Sequence, residues 1–450
     1  MARQFFGDPR MLAVGAMADL DTLPAGSSAA TISGDFHVFP AEYEYPELDI
    51  ASLPWASGTL QAGSMVPGIA GRRSGKLKIK FPMHGGTTIY TVASLAPTWG
   101  PNCALLGTAW GSDGAQSAAN WKANAHLATI DRAPGVIDAA VACTSTSIKI
   151  DDGATPAGAV AGAFVCAATD AAETLAQFGW IKSADAGVSP DTLTLYEASK
   201  NTAAFNDDIL SSLTAYDSTA TRNPLWFRCL GGVSSSDVLL VGGYCAGGEI
   251  MFGNGEVWWV TLNYEFADAY RISGTSGLVA VTGAWFVQPP ANASNNGRFT
   301  YGPSGTGSAT PVQGWKDLKL TWTNEIRWLE NLAGIQGYGT PAISAPEFKL
   351  TGSICWDSAD TVSAAGEHQL VTDWRAQTAV SVCASTGALP GKIGSLFLPG
   401  LKHTKCPVPK PGDGGLLFHD VELAPCDYAS DGAGFGAAAP ANSHVRYGWA

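Results

Sequence analysis

The sequence predicts a mainly β protein with a few short helices. Three observations carry this. Short runs of strand-forming residues alternate with polar ones along most of the chain, and Gly, Pro, Asn and Ser separate the runs. The 450 residues include 53 glycines and 15 tryptophans. Only 14% of residues are charged, against about a quarter in an average soluble protein. That low density suits sheets with much of their surface covered. The formal net charge of −13 argues against a groove that grips nucleic acid through phosphate contacts. It does not argue against a surface that DNA merely passes.

Taken in order, residues 1–30 read as an arm, rich in Ala, Gly and Ser near its end. Asp8, Pro9 and Arg10 cut short any apolar stretch of a signal peptide. "GDFHVFPAEYEY" alternates like an edge strand, and the Gly/Pro/Ser-rich residues 52–75 read as a loop. "GKLKIKF" is predicted as a strand with Leu77, Ile79 and Phe81 inward. "PNCALLGTAWG" reads as a short helix after Pro101, "AANWKANAHLATI" as a second, and "DAAETLAQFGWI" as a third. "STSIKID", "AGAFVCAA", "DTLTLYEA", "PLWFRCL" and "DVLLVGGYC" are short strands.

"IMFGNGEVWWVTLNYEF" is the most informative run. Asn254-Gly255 predicts a two-residue type I′ turn, in which both residues take positive φ. Beyond it, period two places Trp258, Val260, Leu262, Tyr264 and Phe266 on a core face. Val257, Trp259, Thr261, Asn263 and Glu265 fall on the other face, which starts apolar and ends polar. Trp258, Tyr264 and Phe266 are therefore core candidates, and Trp259 is a core or interface candidate, covered by a local patch or by a partner from another domain or chain.

Residues 273–311 read as a linker or exposed loop. "DLKLTWTNEIRW", "EFKLTGSICW" and "AVSVCA" are strands, with a helix at "EHQLVTDWRAQ". "GSLFLPGLKHTKC" and "GLLFHDVELAPCDY" are read as a closing hairpin. The piece ending at Tyr428 repeats features of the piece ending at Tyr270, which suggests an internal duplication.

The motifs of chemistry are largely missing. "AGRRSGKL" mimics a phosphate-binding loop, but Ala70 and Leu77 stand where Gly and Ser/Thr are needed, so a solvated basic loop is expected. "MHGGTT" lacks an accompanying nucleophile elbow, and His84 reads as a turn residue. The seven histidines show no ligand spacing, and the nine cysteines show no C-x-x-C pair, so neither a metal site nor a disulfide framework is expected. Asp357 and Asp360 read as Asx turns rather than an acid/base pair. Catalytic, cofactor and metal residues are expected to be none, and no apolar run is long enough to span a membrane.

The run "GGYCAGGEIMFGNGEVWWVTLNYEF", followed by "LKLTWTNEIRW" and "EFKLTGSICW", resembles the tail tube proteins (major tail proteins) of long-tailed bacteriophages, in particular the larger ones. "PNCALLGTAWG" is similar to their short Leu-rich helix. The resemblance covers residues 77–422 in patches. It implies two tail-tube-like β-sandwich or barrel domains, 31–272 with an insertion around 116–198, and 312–450. It also implies a structural virion protein that is no enzyme. Its rings would stack into a hollow conduit through which genomic DNA transits without specific binding. The implied partners are itself, a tape measure and other tail proteins, with assembly in the host cytoplasm and no membrane. Two tube domains per chain favour a homotrimer ring over a homohexamer. The alternatives are another phage tail or capsid decoration component or, in a different class, a carbohydrate-binding or carbohydrate-active β protein suggested by the tryptophans.

Overall fold

The computed structural model describes residues 11–17, 20, 37–44, 46–53, 69–87, 102–110, 130–133, 137–153, 155, 159, 162–168, 176–185, 187, 189–203, 208–215, 222, 224–229, 237–272, 285–287, 297–303, 310–311, 314–332, 337–355, 369–389, 392–412, 417–426 and 444–449. Its strands begin with β1 (Met11–Ala16), β2 (His37–Pro40), β3 (Glu42–Tyr43), β4 (Glu47–Leu53), β5 (Ile69–Pro82), β6 (His84–Thr87), β7 (Ile130–Ala133), β8 (Ser147–Ile150) and β9 (Phe164–Ala168). Next come β10 (Gln177–Asp185), β11 (Asp191–Leu195), β12 (Asp208–Ala215), β13 (Leu225–Cys229), β14 (Asp237–Phe252), β15 (Trp259–Ile272), β16 (Trp285–Val287), β17 (Arg298–Pro303) and β18 (Thr310–Pro311). The remainder are β19 (Gly314–Thr323), β20 (Ile326–Arg327), β21 (Ala342–Ile343), β22 (Glu347–Cys355), β23 (Val380–Thr386), β24 (Gly394–His403), β25 (Pro409–Pro411), β26 (Leu417–Pro425) and β27 (Arg446–Trp449). A π-helical turn, Asn102–Gly107, runs into α1 (Thr108–Trp110), and α2 spans Gln369–Ala376. The protein is mainly β, with sandwich character.

A front sheet runs in the order β5–β15–β14–β19–β22–β26, all antiparallel, with β25 beyond β26 and β3 and β4 against β5. Alternation sets its inner face. Leu77, Ile79 and Phe81 of β5 stand beside Val260, Leu262 and Tyr264 of β15, and Leu318, Leu320 and Trp322 of β19 extend the row. The first half of β14 keeps β15 on one side and takes β13 in place of β19 on the other, and β13 pairs with β1. Thus Met11–Ala16, in the stretch expected as an arm, is a strand of the body.

A back sheet runs β12–β27–β24–β23–β17–β18. Its inner face supplies Phe299, Tyr301, Val382, Leu396, Leu398 and Tyr447 to the core that the front sheet fills. The helical turn plugs that core. Trp110 meets Trp322 edge-on at 5.7 Å, and the Tyr264 hydroxyl donates to the Leu105 carbonyl at 3.3 Å. Burying each such large apolar side chain contributes about 1.5–3 kcal/mol. The core draws on residues from Leu12 to Trp449, and the β14–β19 ladder directly joins the stretches 31–272 and 312–450. The expected closing hairpin exists as the short ladder of Leu401–His403 with Leu423–Pro425, although β26 pairs more extensively with β22.

A separate lobe holds part of the expected insertion. Its strands β8, β11, β10 and β9 pair in that order, and β9 and β7 both pair with the start of β12. Ile137, Ile148, Ile150, Val165, Ile181, Leu193, Leu195 and Ile209 form its own core.

Several expectations are corrected. The helix read into "DAAETLAQFGWI" is strand β10 from Gln177 on, because burial of both faces erases period two there. Residues 170–175 lie outside the described residues, as does "AANWKANAHLATI" up to residue 129. Of the loop expected over residues 52–75, Ser52 and Leu53 belong to β4 and residues 69–75 to β5, while residues 54–68 lie outside the described residues. Arg72 and Arg73 are strand residues, so the solvated basic loop is not formed. His84 opens β6, which pairs with β16, rather than a turn. The stretch 273–311 contains β17, whose Phe299 and Tyr301 are buried. Its Gly, Pro and Asn flanks hid a strand that β23 orders through the ladder.

Candidate interaction surface

The two tryptophans of "VWWV" part company at the mouth of β15. Trp258 is buried and meets Phe252 edge-on at 5.8 Å. Tyr264 and Phe266 are also buried and pack on Phe227, at 4.8 and 5.4 Å. Trp259 points to the outer face of the front sheet and is half-buried. It lies directly across from Met251, which is 43% exposed. The Lys80 ammonium sits 4.6 Å from its ring centre, a cation–π contact.

The turn between these strands is not type I′. Gly255 has φ of 78°, but Asn254 is not among the residues with positive φ. The last pair of the ladder is Met251 with Trp259, so the loop is longer than two residues. Asn254 and Gly255 are exposed at its tip.

The outer face of the front sheet carries long charged side chains in columns. Lys76, Lys78 and Lys80 on β5 lie between Glu42 and Glu44 on one side and Glu265 on the other. Lys78 pairs with Glu44 at 2.9 Å, which holds its ammonium above the usual lysine range. Further along, Lys319 pairs with Glu249 across β19 and β14. Lys349 on β22 meets Glu422 on β26 at 2.9 Å, and Lys410 meets Asp420. Hydrogen bonding to these lysines holds the Glu422 and Asp420 carboxyls below their usual range. Each exposed pair contributes at most about 1 kcal/mol. Their collective effect is a face whose charges are compensated locally.

At one end of this sheet the chain leaves β19, makes a hairpin through β20 and β21, and returns in β22. Trp328 anchors its base against Tyr244 at 5.8 Å and Tyr338 at 5.0 Å. Toward the tip, Leu329 is 55% exposed and Leu332 is fully exposed. Met251 and Leu417, also exposed, lie at the opposite end of the sheet.

Among the buried polar groupings that escaped sequence reasoning, two involve β17. In the first, the Tyr301 hydroxyl donates to Asp373 Oδ2 at 2.9 Å, and Gln369 donates to Asp373 Oδ1. His403 Nε2 lies 2.9 Å from the same hydroxyl, and this network assigns it as the protonated nitrogen. Burial pushes the Asp373 carboxyl up and holds His403 down at about 4. These groups tie α2 to β17 and β24. In the second, Glu197 of the lobe pairs with Arg298 of β17 at 2.9 Å and accepts hydrogen bonds from Thr300 and Ser385. The partners lie about a hundred residues apart in sequence, so no local spacing signals them.

Among the described residues no group of three or more His, Cys, Asp or Glu side chains has metal-binding geometry. Cys229, Cys245, Cys355, Cys383 and Cys406 carry free thiols. Asp357 and Asp360 lie outside the described residues. Among the described residues no helix is long and apolar enough to cross a membrane. Neither a protein-family model nor a curated protein matches the chain.

Proposed function

We propose that the chain is a structural, ring-forming subunit of a phage tail tube, with the outer face of the front sheet lining the conduit. One observation carries this reading. Beyond the part covered by the β20–β21 hairpin, the outer face of the front sheet carries lysines and carboxylates that reach solvent and compensate one another across strands. Such a face lets a polyanion pass, because few cations are left to release counterions from it. The hairpin through β20 and β21 offers apolar Leu329 and Leu332 at one end of the sheet, and Met251 and Leu417 are exposed at the other. A contact between unlike ends is heterologous and generates stacks. Trp110, Trp180, Trp226, Trp258, Trp322 and Trp449 are fully buried, so these tryptophans build the interior rather than sugar-stacking platforms, which favours the tube over the carbohydrate reading.

Ring count follows from how many tube units a chain holds. Sequence repetition favours two units and a homotrimer. The shared core and the β14–β19 ladder support counting one unit and six chains. Electron microscopy of the purified protein tests both points. Rings or tubes are expected, and their rotational symmetry gives the count. A monodisperse monomer at high concentration that hydrolyses glycans overturns the proposal.

A further inference from the structure

The outer face of the back sheet is buried although many of its side chains are small and polar. Thr300, Cys383, Ser385 and Ser395 point away from the main core and lie under the lobe. The lobe's core and the main core are separate clusters. Between them lies a joint with two unlike parts. Near β27 and β24 it is aromatic. Trp180 stacks on Phe397 at 5.3 Å and donates its indole N–H to Ser395 at 2.8 Å. Near β23 and β17 it is ionic, centred on Glu197 and Arg298. Arg298 also donates to the Phe178 carbonyl at 3.0 Å and lies over the Phe178 ring.

Strand β12 shows where the lobe is tied. Its first half pairs with β9 and β7 of the lobe, and its second half with β27 of the body, with an irregularity between Ile209 and Ser211. The ion pair sits four strands away, on β17, at roughly 19 Å for 4.8 Å per strand. We infer that the lobe is a hinged cover: it turns about β12, and the Glu197–Arg298 pair is the latch that holds it on the back sheet. The physical ground is the asymmetry of the joint. A buried ion pair spends much of its attraction on desolvation and adds little net docking strength, yet loss of one partner strands a charge. Such a contact opens more readily than the apolar cores on either side. Opening exposes Cys383 while both cores stay closed.

Maleimide labelling of the full chain, resolved by mass spectrometry, tests this inference independently of the tube reading. Cys229 and Cys245 lie in the main core and label only when the body unfolds. Cys383 is expected to label ahead of both in the wild-type protein. Arg298→Met leaves Glu197 unpaired and is expected to accelerate Cys383 on the order of a hundredfold or more, with Cys229 and Cys245 unchanged. Loss of the nearby guanidinium by itself raises the thiol pKa and slows the reaction, so acceleration reports opening. If the variant does not fold, the wild-type order decides alone. Labelling of Cys383 in step with Cys229 and Cys245 overturns the hinge.

Discussion

The front and back sheets share one core, and each turns a polar face away from it, yet the two faces are built from different residues. The front face uses Lys and Glu, whose long stems keep the charge in water while the pairs form across strands. The back face uses Ser, Thr and Cys, which leave room for a second layer, with a buried ion pair toward its β17 side. Polarity alone therefore does not say whether a sheet face meets solvent. Partnering does, because a short hydroxyl can be satisfied by one neighbour, whereas a long charged side chain is buried only where, as at Arg298, its charge is paired.

The comparison breaks if two acids, one from each face, cost the same. Glu197→Ala is expected to destabilise by about 3–5 kcal/mol, because Arg298 keeps its charge in a buried site. Glu422→Ala is expected to cost below about 1 kcal/mol, the range for exposed pairs. Urea denaturation at one pH measures both, and equal midpoints for the two variants would refute the distinction.

Within the front sheet the same test applies through its thickness. Trp258→Ala is expected to cost about 3–5 kcal/mol, as for a large core truncation. Trp259→Ala loses the Lys80 contact and partial burial, about 1 kcal/mol. A reversed order in thermal melts would mean that Trp259 is the core residue.

Buried polar groups on the core side add a pH signature through His403. His403 titrates at about 4 in the folded chain, against about 6.5 when unfolded. The unfolded chain therefore binds the proton first as pH falls. The contribution is fully present above about pH 6.5 and is lost between there and pH 4, by at most about 3 kcal/mol. Asp373, raised by burial, acts in the opposite sense above its ordinary 3.8, since the folded form takes its proton first. His403→Gln should flatten the fall in urea midpoint between pH 7 and pH 4.5. An unchanged slope would place the proton elsewhere.

A modest effect is expected at the loop that ends β14. A Cβ on Gly255 meets nothing within 4 Å, so only its φ of 78° resists substitution. Gly255→Val should cost about 1–2 kcal/mol. An unchanged melting temperature would show that the loop adopts another shape at no cost.

The sequence by itself determined the period-two elements that keep one wet face. "GKLKIKF" shows Leu77, Ile79 and Phe81 against Lys76, Lys78 and Lys80, and "VWWVTLNYEF" separates Trp258 from Trp259, because solvent on one side and core on the other write alternation into the residues. Helix α2 was legible in "EHQLVTDWRAQ" for the corresponding helical reason. Only the tertiary structure decided the rest. Strand β10 lost its alternation because both its faces are covered, and β17 was hidden between Gly- and Pro-rich flanks until β23 paired with it. The Glu197–Arg298 joint and the His403–Tyr301–Asp373 chain were invisible, because a buried polar group is specified by its partner, and the chain brings these partners together only after it has folded.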